Sequence, residues 1–120
     1  MTGVVDGFGR ALVPVRLKKP AVGKFVKVQA WIDTGFTGEL VLPKAVVRSL
    51  GLSSANVVKA ELGDGSIAVI HTYGCELEWF GERRVIEALE TTGEHPLIGA
   101  TLLKGHRLTI DYDRGRVQVT

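Results

Sequence analysis

Phe25-Val26-Lys27-Val28-Gln29-Ala30-Trp31-Ile32-Asp33-Thr34-Gly35 is the most informative stretch of this chain. Its apolar residues, Phe25, Val26, Val28, Ala30, Trp31 and Ile32, read as a strand that delivers an acid at its end. A carboxylate at the end of a buried strand costs several kcal/mol unless hydrogen bonds or a role retain it. The next two residues suit both. A Thr hydroxyl can bond across to another backbone, and a Gly lets two backbones approach closely. Asp-Thr-Gly occurs once, so chemistry that needs a second copy must find it by symmetry.

The surrounding chain has the size of one domain, residues 1–120, with 45% apolar residues and a net charge of +2. A domain of this size buries about two-thirds of its unfolded surface, enough for a core without disulfides. Cys75 is the one cysteine, which excludes an internal disulfide and a Cys-based zinc site. It fits a reducing compartment. Met1 to Pro14 has neither a basic n-region nor a continuous apolar h-region, and no apolar run is long enough to span a bilayer. A cytoplasmic protein without membrane contact is expected. Lys18, Lys19, Lys24 and Lys27 form a basic cluster without interleaved aromatics, a solvated face and not a nucleic-acid surface.

Fifteen glycines and many Val, Ile and Thr positions predict short strands joined by tight turns. Ala11 to Leu17 reads as a strand, with Pro14 suggesting an edge. Lys18 to Lys24 is a turn before the Phe25–Ile32 strand. Leu42 to Leu52 is the clear helix, with Pro43 at its first position, Gly51 past its end, and Leu42, Val46, Val47 and Leu50 on one face. Val57 to Leu62 and Ile67 to Tyr73 flank Gly63-Asp64-Gly65-Ser66, an Asp-Gly hairpin signal that predicts a type I′ turn. Cys75 to Phe80 and Arg83 to Leu89 form a second hairpin around Gly81-Glu82. Pro96 to Gly99 is a short apolar segment, and Ala100 to Lys104 a helical turn. Leu108 to Tyr112 and Arg116 to Val119 pair across Asp113-Arg114-Gly115.

Peptide hydrolysis by carboxylates needs two acids sharing one proton, one activating water and the other serving the carbonyl oxygen. Of the remaining aspartates, Asp64 and Asp113 have turn roles and Asp111 faces solvent on a strand. Neither they nor Asp6 sit in a second Asp-Thr/Ser-Gly. The second carboxylate is therefore expected from Asp33 of another copy, since an isologous two-fold places identical residues face to face.

Three motifs now stand in order: the apolar strand ending in Asp33-Thr34-Gly35 with Phe36-Thr37-Gly38-Glu39-Leu40-Val41-Leu42-Pro43 after it, the hairpin Leu62-Gly63-Asp64-Gly65-Ser66, and Leu97-Ile98-Gly99 leading into Ala100-Thr101-Leu102-Leu103. Together they resemble the retropepsin-type (clan AA) aspartic proteases in their single-domain bacterial form. The resemblance runs from about Ala11 onward. It implies a mostly β, small closed barrel-like acid-protease fold with one or two short helices, assembled as a two-fold homodimer. It implies an aspartic endopeptidase, with a peptide or protein substrate and no cofactor or metal. Asp33 would be the catalytic acid of each subunit, its titration split by its symmetry mate, as this family exemplifies. Thr34 would bond across the axis, Gly35 would leave room for the substrate backbone, and Gly99 would pack behind the loop. Leu62, Gly63, Asp64, Gly65 and Ser66 would form a flap, and Phe36 would border the cleft.

Three positions depart from the retroviral pattern. Phe36 and Thr37 stand where a small residue and an acid are usual, and Ala100 replaces an Arg. Since that Arg pairs with that acid, both halves of an ion pair are missing together, a consistent variant. The rival reading is a catalytically weak or inactive dimeric peptide-binding module of the same fold. His71, His95 and His106 are scattered and suggest no metal site. Trp31 and Trp79 read as core or interface, and Cys75 as a small buried hydrophobe.

Overall fold

Alternation shapes β2 (Ala11–Lys18): Ala11, Val13, Val15 and Leu17 are buried and the residues between them are not, the period-2 pattern of a strand with one face on a core. The computed structural model describes all residues 1–120. In it β2 is preceded by β1 (Thr2–Val5) and followed by β3 (Val26–Ile32), β4 (Leu40–Pro43), α1 (Lys44–Leu50), β5 (Ser54–Glu61), β6 (Ile67–Trp79), β7 (Glu82–Thr91), β8 (Leu97–Ile98), α2 (Ala100–Leu103), β9 (Leu108–Asp111) and β10 (Arg116–Val119).

β2, β3, β8, β4, β7 and β6 pair in that order, and β6 returns to β2, closing a six-stranded barrel. The expected mostly β, closed fold with two short helices is what forms. Two extensions leave the ring. β5 adds to the outer half of β6, and β1, β10 and β9 continue from the start of β2.

Several elements differ from their sequence signals for physical reasons. Pro14 lies inside β2, which is not an edge strand. It faces Gln29, and the Trp31 and Asp33 amides point to β8, so by alternation Gln29 turns its polar groups away from β2. The missing Pro14 N–H therefore points to the other side. There β2 passes from β1, paired at residues 11–12, to β6, paired at residues 16–18. Leu40, Val41 and Leu42 form β4, buried on both faces, so the helix begins only at Lys44, with Pro43 as its N-cap residue and Gly51 closing it at φ 65°. Gly74 does not divide two strands; β6 runs through it for 13 residues. The β6–β7 turn is Phe80-Gly81, one residue earlier than its signal, since Trp79 pairs with Glu82 and both turn residues take positive φ.

The core lies inside the barrel, where Val13, Leu17, Leu40, Leu77 and Ile98 are fully buried. Trp79 is buried, whereas Trp31 remains 38% exposed.

Candidate active site

β3 ends beside β8, and the two parallel strands carry the site. The Trp31 amide donates to the Pro96 carbonyl at 2.8 Å and the Asp33 amide to the Ile98 carbonyl at 2.9 Å. The chain then turns on Asp33 itself. Its Oδ1 accepts the Gly35 amide at 3.0 Å and its carbonyl accepts the Phe36 amide at 3.2 Å. An Asp in this position closes a turn with its own side chain. No ion pair engages the carboxylate, and its Oδ2 accepts no hydrogen bond from the chain.

The loop that follows is bound to the segment after β8. The Gly99 amide donates to the Glu39 carbonyl at 3.0 Å, Ala100 to Phe36 at 2.7 Å and Thr101 to Gly38 at 3.2 Å. The Thr101 hydroxyl donates to the Thr37 carbonyl. A methyl on Gly99 would overlap the Gly38 carbonyl and the Phe36 ring, and one on Gly38 would overlap the same ring. Phe36 therefore packs its ring against two glycines. The loop is stabilised by backbone bonds and an aromatic plug where the retroviral pattern uses an ion pair. Thr34 is exposed, and its hydroxyl makes no hydrogen bond within the chain. Asp33, Thr34, Gly35, Phe36 and Gly99 are thus brought together.

Beside the carboxylate is a cleft of about 270 Å³ lined by Trp31, Ile32, Asp33 and Leu97. Its Trp31 wall is fixed from behind. His95 meets the indole edge-on at 6.1 Å, and the Arg10 guanidinium stands 5.8 Å from the ring centre. Arg10 Nη1 lies 2.5 Å from His95 Nε2 and its Nε lies 2.7 Å from Asp6 Oδ2. The Asp6 carboxylate is held below its ordinary range against the opposing effect of burial, through bonds from Arg10 and Phe8. Arg10 and His95 are not singled out by the sequence, because they stand 85 positions apart and neither lies in a motif. Thr101 and Gly38 are within reach of the sequence, as small residues bracketing Phe36 and Gly99.

The hairpin joining β5 and β6 forms its own unit. The Leu62 amide donates to the Ser66 carbonyl at 2.8 Å and the Gly65 amide to the Leu62 carbonyl at 2.9 Å. Gly65 alone takes positive φ, +82°. The turn is therefore a three-residue loop ending in a left-handed glycine, not a two-residue type I′ turn. Asp64 Oδ1 accepts the Ser66 amide at 2.9 Å and the Ser66 hydroxyl at 2.6 Å, which lowers the Asp64 pKa. No hydrogen bond joins this tip, Leu62 to Ser66, to the Asp33 loop.

A larger cleft of about 470 Å³ lies between α1 and β6. It holds no Asp33 chemistry, so size does not mark the site here. No three His, Cys, Asp or Glu side chains are grouped closely enough to hold a metal ion, and no helix is long and apolar enough to cross a membrane.

No protein-family model matches the chain, and no curated protein matches it by sequence. Solved structures do. A retropepsin-like aspartic protease from Rickettsia conorii superposes with a TM-score of 0.61 at 18% identity, over 98% of this chain and 86% of that one. EIAV protease complexed with the inhibitor HBY-793 superposes with a TM-score of 0.59 at 15% identity, over 79% of this chain and 86% of that one. The chain has the retropepsin-like fold.

Proposed function

We propose that this protein is an aspartic endopeptidase whose active unit is a homodimer. One observation carries the reading: a lone carboxylate at the end of a barrel strand, with no cation against it, held by a loop whose outward Thr34 hydroxyl has no partner within its own chain. A single such carboxylate is half of an acid pair, and a two-fold axis through the site supplies the other half.

Two carboxylates about 3 Å apart keep one proton between them, because both cannot ionise cheaply. The ionised Asp33 takes a proton from a water as its oxygen attacks the peptide carbonyl carbon. The partner's Asp33 gives its proton to the carbonyl oxygen, forming a neutral gem-diol. The proton that Asp33 took from the water then passes to the amide nitrogen, a diol hydroxyl gives its proton to the partner's Asp33, and the C–N bond breaks with the pair again holding one proton. The Asp33–Gly35 turn holds the carboxylate in place, and the Trp31–Leu97 cleft beside it accepts an apolar substrate side chain. The Leu62–Ser66 hairpin closes over the bound peptide.

Cleavage of a peptide library by the purified protein, with Asp33→Asn alongside, tests the assignment. Cleavage lost in Asp33→Asn supports it. A wild-type dimer that binds peptides without cutting them supports a binding module instead.

A further inference from the structure

The cleft of about 470 Å³ between α1 and β6 exceeds the one beside Asp33 in size and has a chemistry of its own. Periodicity sets its walls. Lys44, Val47 and Arg48 share one face of α1, three and four residues apart. His71 and Tyr73 alternate onto one face of β6, and Glu90 stands across the ladder on β7. The floor is apolar, formed by the buried Val47 and Leu52. Gly51 closes α1 in the left-handed conformation, and the Leu52 amide returns to the Val47 carbonyl at 3.1 Å, which brings Leu52 under the helix.

The charges in this cleft do not balance. The Glu90 carboxylate, with its side chain 14% exposed, lies 3.8 Å from the Lys44 ammonium. Hydrogen bonding to the same carboxylate, with burial, raises the Tyr73 hydroxyl above its ordinary pKa. Glu90 is therefore committed within the chain. Arg48 is not, since no ion pair engages its guanidinium. Lys44 and Arg48 against Glu90 leave one net positive charge above an apolar floor.

That pattern selects a ligand with two parts. A guanidinium fork takes the two oxygens of a carboxylate in parallel, and His71 faces it across the cleft. An apolar stem then lies over Val47 and Leu52 and along the methylenes of Lys44 and Arg48. A dianion fits less well, because its second charge would meet the Glu90 carboxylate. The volume suits a group of amino-acid size.

We infer that the α1–β6 cleft binds a monocarboxylate carried on an apolar group, the chemistry of a small carboxylic acid or of a peptide's apolar C-terminal residue. A ligand seated there touches the helix that follows β4 and the strand that carries the β5 hairpin, and so bridges the two.

Proton–nitrogen NMR of the full chain tests the site, with N-acetyl-leucine as the probe. Saturable shifts are expected at the amides of Arg48, Gly51, Leu52, His71 and Tyr73, and none with the uncharged N-acetyl-leucine amide. Arg48 is exposed, so its replacement leaves the core intact. Arg48→Gln should weaken binding roughly tenfold or more, the loss of one charge-assisted pair. Arg48→Lys keeps the charge without the fork and should fall between. Exposed Arg116→Gln should bind as the wild type does. N-acetyl-Ala-Ala-Leu separates the two sources. Tighter binding than N-acetyl-leucine assigns the site to a peptide C-terminus, and equal binding assigns it to small carboxylic acids. Absent shifts, shifts confined to Trp31, Asp33 and Leu97, or an equal response to the neutral amide would overturn the site. Inorganic phosphate binding as tightly, or full affinity in Arg48→Gln, would overturn it as well. None of these outcomes bears on Asp33, whose assignment rests on cleavage.

Discussion

Gly99 packs so closely on the Gly38 carbonyl that no side chain fits between them. The Gly99 amide donates to the Glu39 carbonyl, and the Phe36 ring fills the adjoining space. Gly99→Ala should therefore push the 36–39 loop away from β8. The expected cost is about 1–3 kcal/mol of stability from overpacking, with a larger fall in kcat than in substrate affinity, because Asp33 hangs from the same strand end. Urea unfolding and steady-state kinetics on one preparation check this. Wild-type values in both would show that the loop has room to spare.

Asp33→Asn keeps the shape of the side chain and removes both carboxylates of the proposed pair, one from each subunit. Cleavage should vanish while the sedimentation coefficient stays that of the wild type. In the wild type the rate should follow a bell-shaped pH profile whose two limbs belong to the pair jointly. Retained turnover in Asp33→Asn would falsify the assignment.

Thr34 carries a hydroxyl without a partner in its own chain. Thr34→Ser keeps that donor and should be mild. Thr34→Val should weaken the dimer by about 1–3 kcal/mol for each buried group left unpaired. Equal dissociation constants for the two variants would mean that Thr34 makes no bond across the axis.

At Gly65, φ of +82° suits glycine and strains a β-branched residue. Gly65→Val should lower kcat/KM while the midpoint of thermal unfolding moves by only a few degrees, and the limbs of the pH profile should stay in place. Unchanged kinetics would reduce the hairpin tip to a simple turn.

Cys75 is fully buried, and burial pushes its thiol from 9.0 up to about 11. The folded state therefore favours the protonated thiol. That stability is complete below pH 9 and is lost as pH rises toward 11, when the unfolded chain ionises first. Between pH 8.5 and 10.5 the loss should be about 1.5–2 kcal/mol relative to Cys75→Ala, whose unfolding lacks this component. Denaturant unfolding of both proteins at the two pH values measures it, and parallel pH slopes would contradict it.

The Asp33 loop, the Leu97–Gly99 segment and three of the hairpins are legible in the sequence because each is local: an apolar run, a turn residue and a periodicity. What is not legible is long-range. β4 merges with the helix signal because a strand buried on both faces is a continuous apolar run, and Leu40-Val41-Leu42 gives no alternation. Pro14 signals an edge because the change of neighbour on one side of β2 leaves no trace in sequence. Phe36 reads as a cleft residue, whereas its ring lies against Gly38 and Gly99, a contact set by β8 some sixty residues further on. The Arg10–His95–Trp31 brace escapes for the same reason.

β6 serves two structures at once. Its residues 76–78 are fastened to β2 as a seam of the barrel wall, and its residues 67–73 carry the β5 hairpin. The hairpin is thus a cantilever whose clamp is the barrel itself, with no separate joint. A load at Leu62 or Ser66 travels down an unbroken strand to Leu17 and Leu77, in the middle of the core. Softening that seam by core substitutions would change how stiffly the tip bends, so the stability of the barrel and the stiffness of the hairpin share one mechanical element.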